Sequence, residues 1–170
     1  CAAADFDIAA AAAVAAADVA AAADTCTVAA ACCGNCAALD GDIDAAAALI
    51  MAYYQFGDEK YKEDAKKLIQ AMKQHEFESN GLHLPGDKWG DAGFSRKNPG
   101  YFDPAYMPLF AAVDTENAEF WSKTAYEANM NLYEISSGEV STGLIDDWMN
   151  KNGNSWTSEN DEFYYDAPRA

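Results

Sequence analysis

Residues 42–75, DIDAAAALIMAYYQFGDEKYKEDAKKLIQAMKQH, decide the fold class. In the first half, Leu49, Ile50, Ala52 and Tyr53 form an apolar stripe at helical spacing, and Asp42 or Asp44 is placed to cap its start. Gly57 ends this helix, because glycine adopts the left-handed conformation of a helix C-terminus without a steric penalty. Asp58 caps a second helix that runs to about His75. There Tyr61, Ala65, Leu68, Ile69 and Met72 recur on one face, and Lys60, Lys62, Glu63, Lys66 and Lys67 decorate the other. So short a connection makes the pair an αα-hairpin.

Downstream, residues 78–102 form a long irregular segment with seven Gly or Pro positions: Gly81, Pro85, Gly86, Gly90, Gly93, Pro99 and Gly100. Leu82–Leu84 is its one candidate for extended structure. The segment carries Trp89, Phe94, Tyr101 and Phe102, a content that argues against disorder and for a functional loop. Asp103-Pro104 opens another helix, with Pro in the first turn and Met107, Leu109, Phe110 and Ala111 on its apolar side. A further helix spans about Glu116 to Ile135, with Phe120, Trp121, Ala125, Ala128, Leu132 and Ile135 on one face. Residues 136–161 are again loop-rich, and Phe163 to Arg169 looks like the entry to one more helix. Helices therefore join through short turns on one side and long aromatic loops on the other, which suits an all-α toroid with a groove at one end. The absence of a fixed period disfavours a helical solenoid.

Upstream, residues 1–49 are about half alanine and contain no Lys, Arg, Glu, Trp or Tyr. Runs such as Ala9–Ala13 and Ala20–Ala23 read as stand-ins for unassigned side chains rather than as natural sequence. All five cysteines (Cys1, Cys26, Cys32, Cys33 and Cys36) fall in this stretch; Cys33-Gly34-Asn35-Cys36 has no second ligand pair, so no metal and no cofactor are expected. No signal peptide and no apolar span long enough for a bilayer stand out. A net charge of −17 disfavours nucleic acid and anionic membrane surfaces as partners. It permits a polysaccharide, which is read by hydrogen bonds and aromatic stacking.

Four clusters could carry chemistry. Asp40-Gly41-Asp42-Ile43-Asp44 starts like a calcium loop but has Ala45 and Met51 where Gly and Glu are needed, leaving acids at a helix start or an Asp40 aimed into a pocket. Residues 98–106, NPGYFDPAY, read as a turn followed by a helix whose aromatics pack in the core, and residues 142–148, TGLIDDW, as a turn with a buried Trp. In Tyr164-Tyr165-Asp166-Ala167-Pro168-Arg169, Asp166 is either a helix cap or a carboxylate held by Arg169 between sugar-stacking tyrosines.

Taken in order, these four motifs resemble glycoside hydrolase family 8, over residues 40–170. The resemblance implies an (α/α)6 barrel, of which this single partial catalytic domain supplies only a portion. It implies secreted, inverting, endo-acting hydrolysis of β-1,4 linkages, most simply in a cellulose-type β-1,4-glucan, with xylan or chitosan as the family's other substrates. Inversion requires an acid and a base roughly 6.5–9.5 Å apart, so that a water fits between base and sugar. Matched to the family's motifs, Asp166 is the base and Arg169 the cation that keeps it ionised. Tyr101 positions the attacking water, and Asp40 binds the sugar at the cleavage point. Trp89, Tyr165 and Trp148 are cleft aromatics, and Trp121 is core. The family's acid, a Glu in an early Ser-Glu-Gly-type motif, has no counterpart here; the first Glu is Glu59. Leu39, preceding Asp40, and Pro168 also depart from the pattern, and further barrel helices are expected beyond the last residue. Two other functions compete: a helical carbohydrate-binding or scaffold protein without the acid, and a toroidal lyase, for which Lys88, Arg96 and Lys97 are too few cations.

Overall fold

A computed structural model describes residues 38–87, 96–139, 144–154 and Trp156. The expected hairpin is present as α1 (Leu39–Phe56) and α2 (Glu59–His75). Gly57 lies in the left-handed region (φ 74°) and its amide closes the helix on the Tyr53 carbonyl. Asp58 accepts a hydrogen bond from the Lys60 amide, the predicted cap. Leu39, Ile43, Leu49 and Ile50 of α1 and Ala65, Ile69 and Met72 of α2 are buried against each other.

The start of α1 differs from the sequence expectation. The helix begins at Leu39 after an uncapped Ala38, so Asp40, Asp42 and Asp44 lie inside it instead of before it. The Leu39 amide, an orphan donor at any helix start, donates to the Pro85 carbonyl at 3.2 Å. A tertiary contact thus replaces the aspartate cap, and Asp40 and Asp42 are left in the first turn, where the helix dipole favours acids.

Because α1 and α2 are antiparallel, the end of α2 returns to the start of α1, and the long segment after α2 is built there. Its first part is extended at one bridge, Phe77 opposite His83. A two-residue ladder that period-2 reading did not find pairs β1 (Arg96–Lys97) with β2 (Met149–Asn150), antiparallel and in register Arg96 to Asn150 and Lys97 to Met149. Two tight 3-10 turns follow, Pro99–Tyr101 capped by Asn98 and Pro104–Tyr106 capped by Asp103. The helix expected from Asp103-Pro104 therefore starts later, as α3 (Met107–Val113), with Met107, Phe110 and Val113 buried.

The last long helix is not uniform. A π-wound segment, Phe120–Ala125, feeds α4 (Tyr126–Glu139). The wider winding shifts the helix phase. The inward face downstream runs through Asn129, Leu132 and Ser136, and Ile135, expected inside, is 40% exposed. Trp121 is core as expected, wholly buried and met edge-on by Phe77, Phe110 and Phe120 at 5.0–5.6 Å. Among the described residues no helix is long and apolar enough to cross a membrane.

Candidate active site

The Pro99–Tyr101 turn is held by a buried polar network. His83 is wholly buried; its Nδ1 lies 2.6 Å from Asn129 Oδ1 and its Nε2 lies 2.8 Å from the Asn98 carbonyl oxygen. Asn129 is oriented by its own amide, which donates to the Gly81 and Ala125 carbonyls at 2.8 Å each. Burial pushes the His83 pKa down to about 4, against the opposing pull of the Asn129 and Asn98 hydrogen bonds, so the ring is neutral near pH 7. On the far side of the turn, the Tyr133 hydroxyl of α4 shares its proton between the Pro99 and Phe102 carbonyls, at 2.5 and 2.8 Å. Burial holds that phenol above its ordinary range. Asn98, itself buried, accepts from the Gly100 amide at 2.9 Å. The turn that carries Tyr101 is thus tied to helix α4 through Tyr133 and to the segment after α2 through His83.

This turn forms one wall of an open pocket of about 410 Å³. The first turns of α1 supply Asp40, Ile43 and Asp44; the 3-10 turns supply residues 100–104; α4 supplies Met130 and Tyr133. The volume is within the range of small-molecule clefts. Two residues selected from motifs far apart in sequence, Asp40 and Tyr101, therefore face the same space. Trp148, the third such residue among those described, does not line it. Its indole packs on the Tyr101 ring, centroids 5.9 Å apart and tilted 64°. Trp89, Tyr165, Asp166 and Arg169 lie outside the described residues, as does the helix expected at 163–169.

Behind Asp40, the same hairpin end holds an acid that motif reading passed over. Glu76, the C-cap of α2, is 2% exposed, and among the described residues neither carboxylate oxygen has a partner at ordinary hydrogen-bond geometry. Burial, then the nearby Asp42 charge, then a longer hydrogen-bonding approach to Asp42, raise its pKa to about 9; Asp87 and Asp40 add to this. Burial likewise raises Asp42, with Glu76 opposing and Asp40 reinforcing. A carboxyl that stays protonated at neutral pH has the proton a glycosidase acid needs. Glu76 is nevertheless sealed and absent from the pocket lining, so it cannot reach a glycosidic oxygen. Glu76, Tyr133 and Asn129 carry no sequence signal of their own, because their roles depend on which segments pack together. Of the cations weighed for a lyase, Lys97 is buried against Glu78 and Arg96 lies over Trp148.

Comparison with known proteins agrees with this fold. The model for "Glycosyl hydrolases family 8" matches residues 10–170. Endoglucanase A of Acetivibrio thermocellus is 33% identical over 140 residues, 80% of this chain and 28% of the relative. Endoglucanase 2 of Ruminiclostridium josui is 34% identical over 139 residues, 78% of this chain and again 28% of the relative. The chain thus spans little more than a quarter of these relatives. Among solved structures, Rex8A from Paenibacillus barcinonensis complexed with xylose superposes with a TM-score of 0.66 at 28% identity, covering 78% of this chain and 38% of that one. The structure of a reducing-end-xylose releasing exo-oligoxylanase complexed with xylose gives a TM-score of 0.66 at 26% identity, with the same coverage. These neighbours are (α/α)6 barrels, and the helices described above form part of one. Across residues 10–170, the chain belongs to glycosyl hydrolase family 8.

Proposed function

We propose that the chain is part of an inverting endo-glycanase that cleaves β-1,4 linkages, acting on β-1,4-glucan. The observation that carries this is the shared pocket of Asp40 and Tyr101, a carboxylate and a phenol delivered by different elements to one sugar-sized space. In this reading Asp40 accepts hydrogen bonds from the sugar at the cleavage point and Tyr101 orients the attacking water. Asp166 removes that water's proton and Arg169 keeps Asp166 ionised. The glucan preference rests on the endoglucanase names of the relatives at 33–34% identity. Xylan is the second substrate reading, because three of the structural neighbours hold xylose. A polymeric substrate cannot enter a cell, so the enzyme acts as a secreted protein. The general acid is unassigned.

The full-length protein should release reducing sugar from carboxymethylcellulose faster than from xylan or chitosan, with the product born as the α-anomer by proton NMR. Asp166→Asn and Tyr101→Phe should each lower kcat at least about a hundredfold, the scale of a lost proton-transfer group. Full activity in the Asp166→Asn variant, or β-anomer product, would overturn the mechanism. Faster turnover of xylan would move the substrate assignment to the second reading.

A further inference from the structure

We propose that Arg96 and Trp148 are positioning residues that fix the Tyr101 phenol, and that Trp148 is not a sugar-stacking platform; this rests on the role of Tyr101 in the proposed function. The ladder explains how the three come together. Lys97 and Met149 are paired across it, and both are wholly buried, so they anchor its inner face. Side chains alternate along strands, which puts Arg96 and Asn150 on the opposite face. Trp148, two residues before Asn150, shares that face and is the diagonal neighbour of Arg96. The Arg96 guanidinium lies 4.2 Å from the Trp148 ring centroid, a cation–π contact. Among the described residues its Nε is buried without a hydrogen-bond partner, and the guanidinium lies against the indole face.

Trp148 is itself held by backbone: its carbonyl accepts from the Trp156 amide at 3.0 Å, and the Asn150 amide donates to the Asn154 carbonyl at 2.8 Å. Held in this way, the indole meets the Tyr101 ring in an edge-on arrangement, 5.9 Å between centroids. Stacking a pyranose requires an open aromatic face turned toward the cleft. Arg96 covers one face of Trp148, and the pocket is lined by Tyr101 and not by Trp148. The hydrogen bonds that the turn makes with His83, the Asn98 side chain and Tyr133 fix its backbone. The Arg96–Trp148 pair bears on the Tyr101 ring itself, and so on the direction of the phenol.

The test uses the full-length enzyme with Trp148→Phe, Trp148→Leu, Arg96→Gln and Tyr101→Phe, alone and combined, with kcat on a soluble cello-oligosaccharide and Kd from calorimetry. A displaced phenol should cost about ten- to a hundredfold in kcat for Trp148→Leu, with Kd within about twofold of wild type. Trp148→Phe should recover most of the loss by keeping an aromatic edge against Tyr101. Trp148→Leu added to Tyr101→Phe should cost nothing more, because the group being positioned is already gone. A tenfold rise in Kd with unchanged kcat would identify a sugar platform and overturn the proposal, and so would additive losses in the double variant. Fluorine NMR of 3-fluorotyrosine-labelled protein separates this from the parent reading. If the wild type cleaves no glycan yet Trp148→Leu and Arg96→Gln both shift the Tyr101 resonance, the function fails and the positioning stands. An unshifted resonance in both variants overturns the positioning.

Discussion

The ring Nε2 of His83 meets the Asn98 carbonyl oxygen at 2.8 Å while its Nδ1 meets Asn129 Oδ1 at 2.6 Å, so both nitrogens face acceptors and a neutral ring donates to only one. Burial nonetheless holds the folded pKa near 4, below the ordinary 6.5. As pH falls, the unfolded chain takes up this proton first. Stability from this group is therefore complete above about 6.5 and is lost on the way down to about 4, by on the order of 3 kcal/mol in total. The difference in urea midpoint between wild type and His83→Gln should narrow over that interval. A constant difference from pH 8 to pH 4 would refute a neutral His83.

Glu76 works in the opposite direction. Its folded pKa, about 9, lies above the ordinary 4.5. The unfolded chain releases the proton first as pH rises, so stability is complete below about 4.5 and is lost through about 9. Glu76→Gln keeps the shape and removes the titration. The variant should gain on wild type steadily from pH 5 to pH 9, by on the order of a few kcal/mol. Parallel stability curves for the two proteins would show that Glu76 is ionised in the fold.

Gly81 has φ 90°, and a Cβ there would stand 2.5 Å from the Thr124 carbonyl oxygen, in the π-wound segment. Gly81→Ala combines a left-handed residue with a backbone clash, a cost of roughly 2–4 kcal/mol. Since the Gly81 carbonyl also orients Asn129, the variant should show faster amide exchange at Gly100 and Tyr101 as well as a lower Tm. An unchanged Tm would mean that the helix yields at this point.

Asp114 is wholly buried and collects three donors: Gln70 at 3.0 Å, Asn117 at 2.8 Å and Trp121 at 3.1 Å. It ties α2 to the turn before the π segment. Asp114→Asn turns an NH2 toward at least one of those donors and should cost about 2–3 kcal/mol. Combined with Trp121→Phe it should cost less than the sum of the two, because they share a bond. Strict additivity in denaturant titrations would refute the shared bond.

The hairpin was legible because its information is local. Leu49, Ile50, Ala65, Ile69 and Met72 are buried as their spacing requires, and Gly57 and Asp58 end and begin helices as their chemistry requires. Asp40 and Tyr101 were legible as motif members, but their convergence was not. The start of α1 was misplaced because its cap is the Pro85 carbonyl, which no local pattern announces. Ile135 was misplaced because a π-wound segment breaks the 3.6-residue period used to assign it.

What the sequence determined alone is the all-helical class and the identity of the groups able to do chemistry, because periodicity and side-chain type are carried by neighbours along the chain. The tertiary structure decided which of those groups share a space. It placed Trp148 against Tyr101 instead of in the pocket lining, sealed Glu76, and suspended the Tyr101 turn between His83 and Tyr133. Those outcomes follow from burial and from hydrogen bonds between residues far apart in the chain, which exist only once the long segments have packed against the helices.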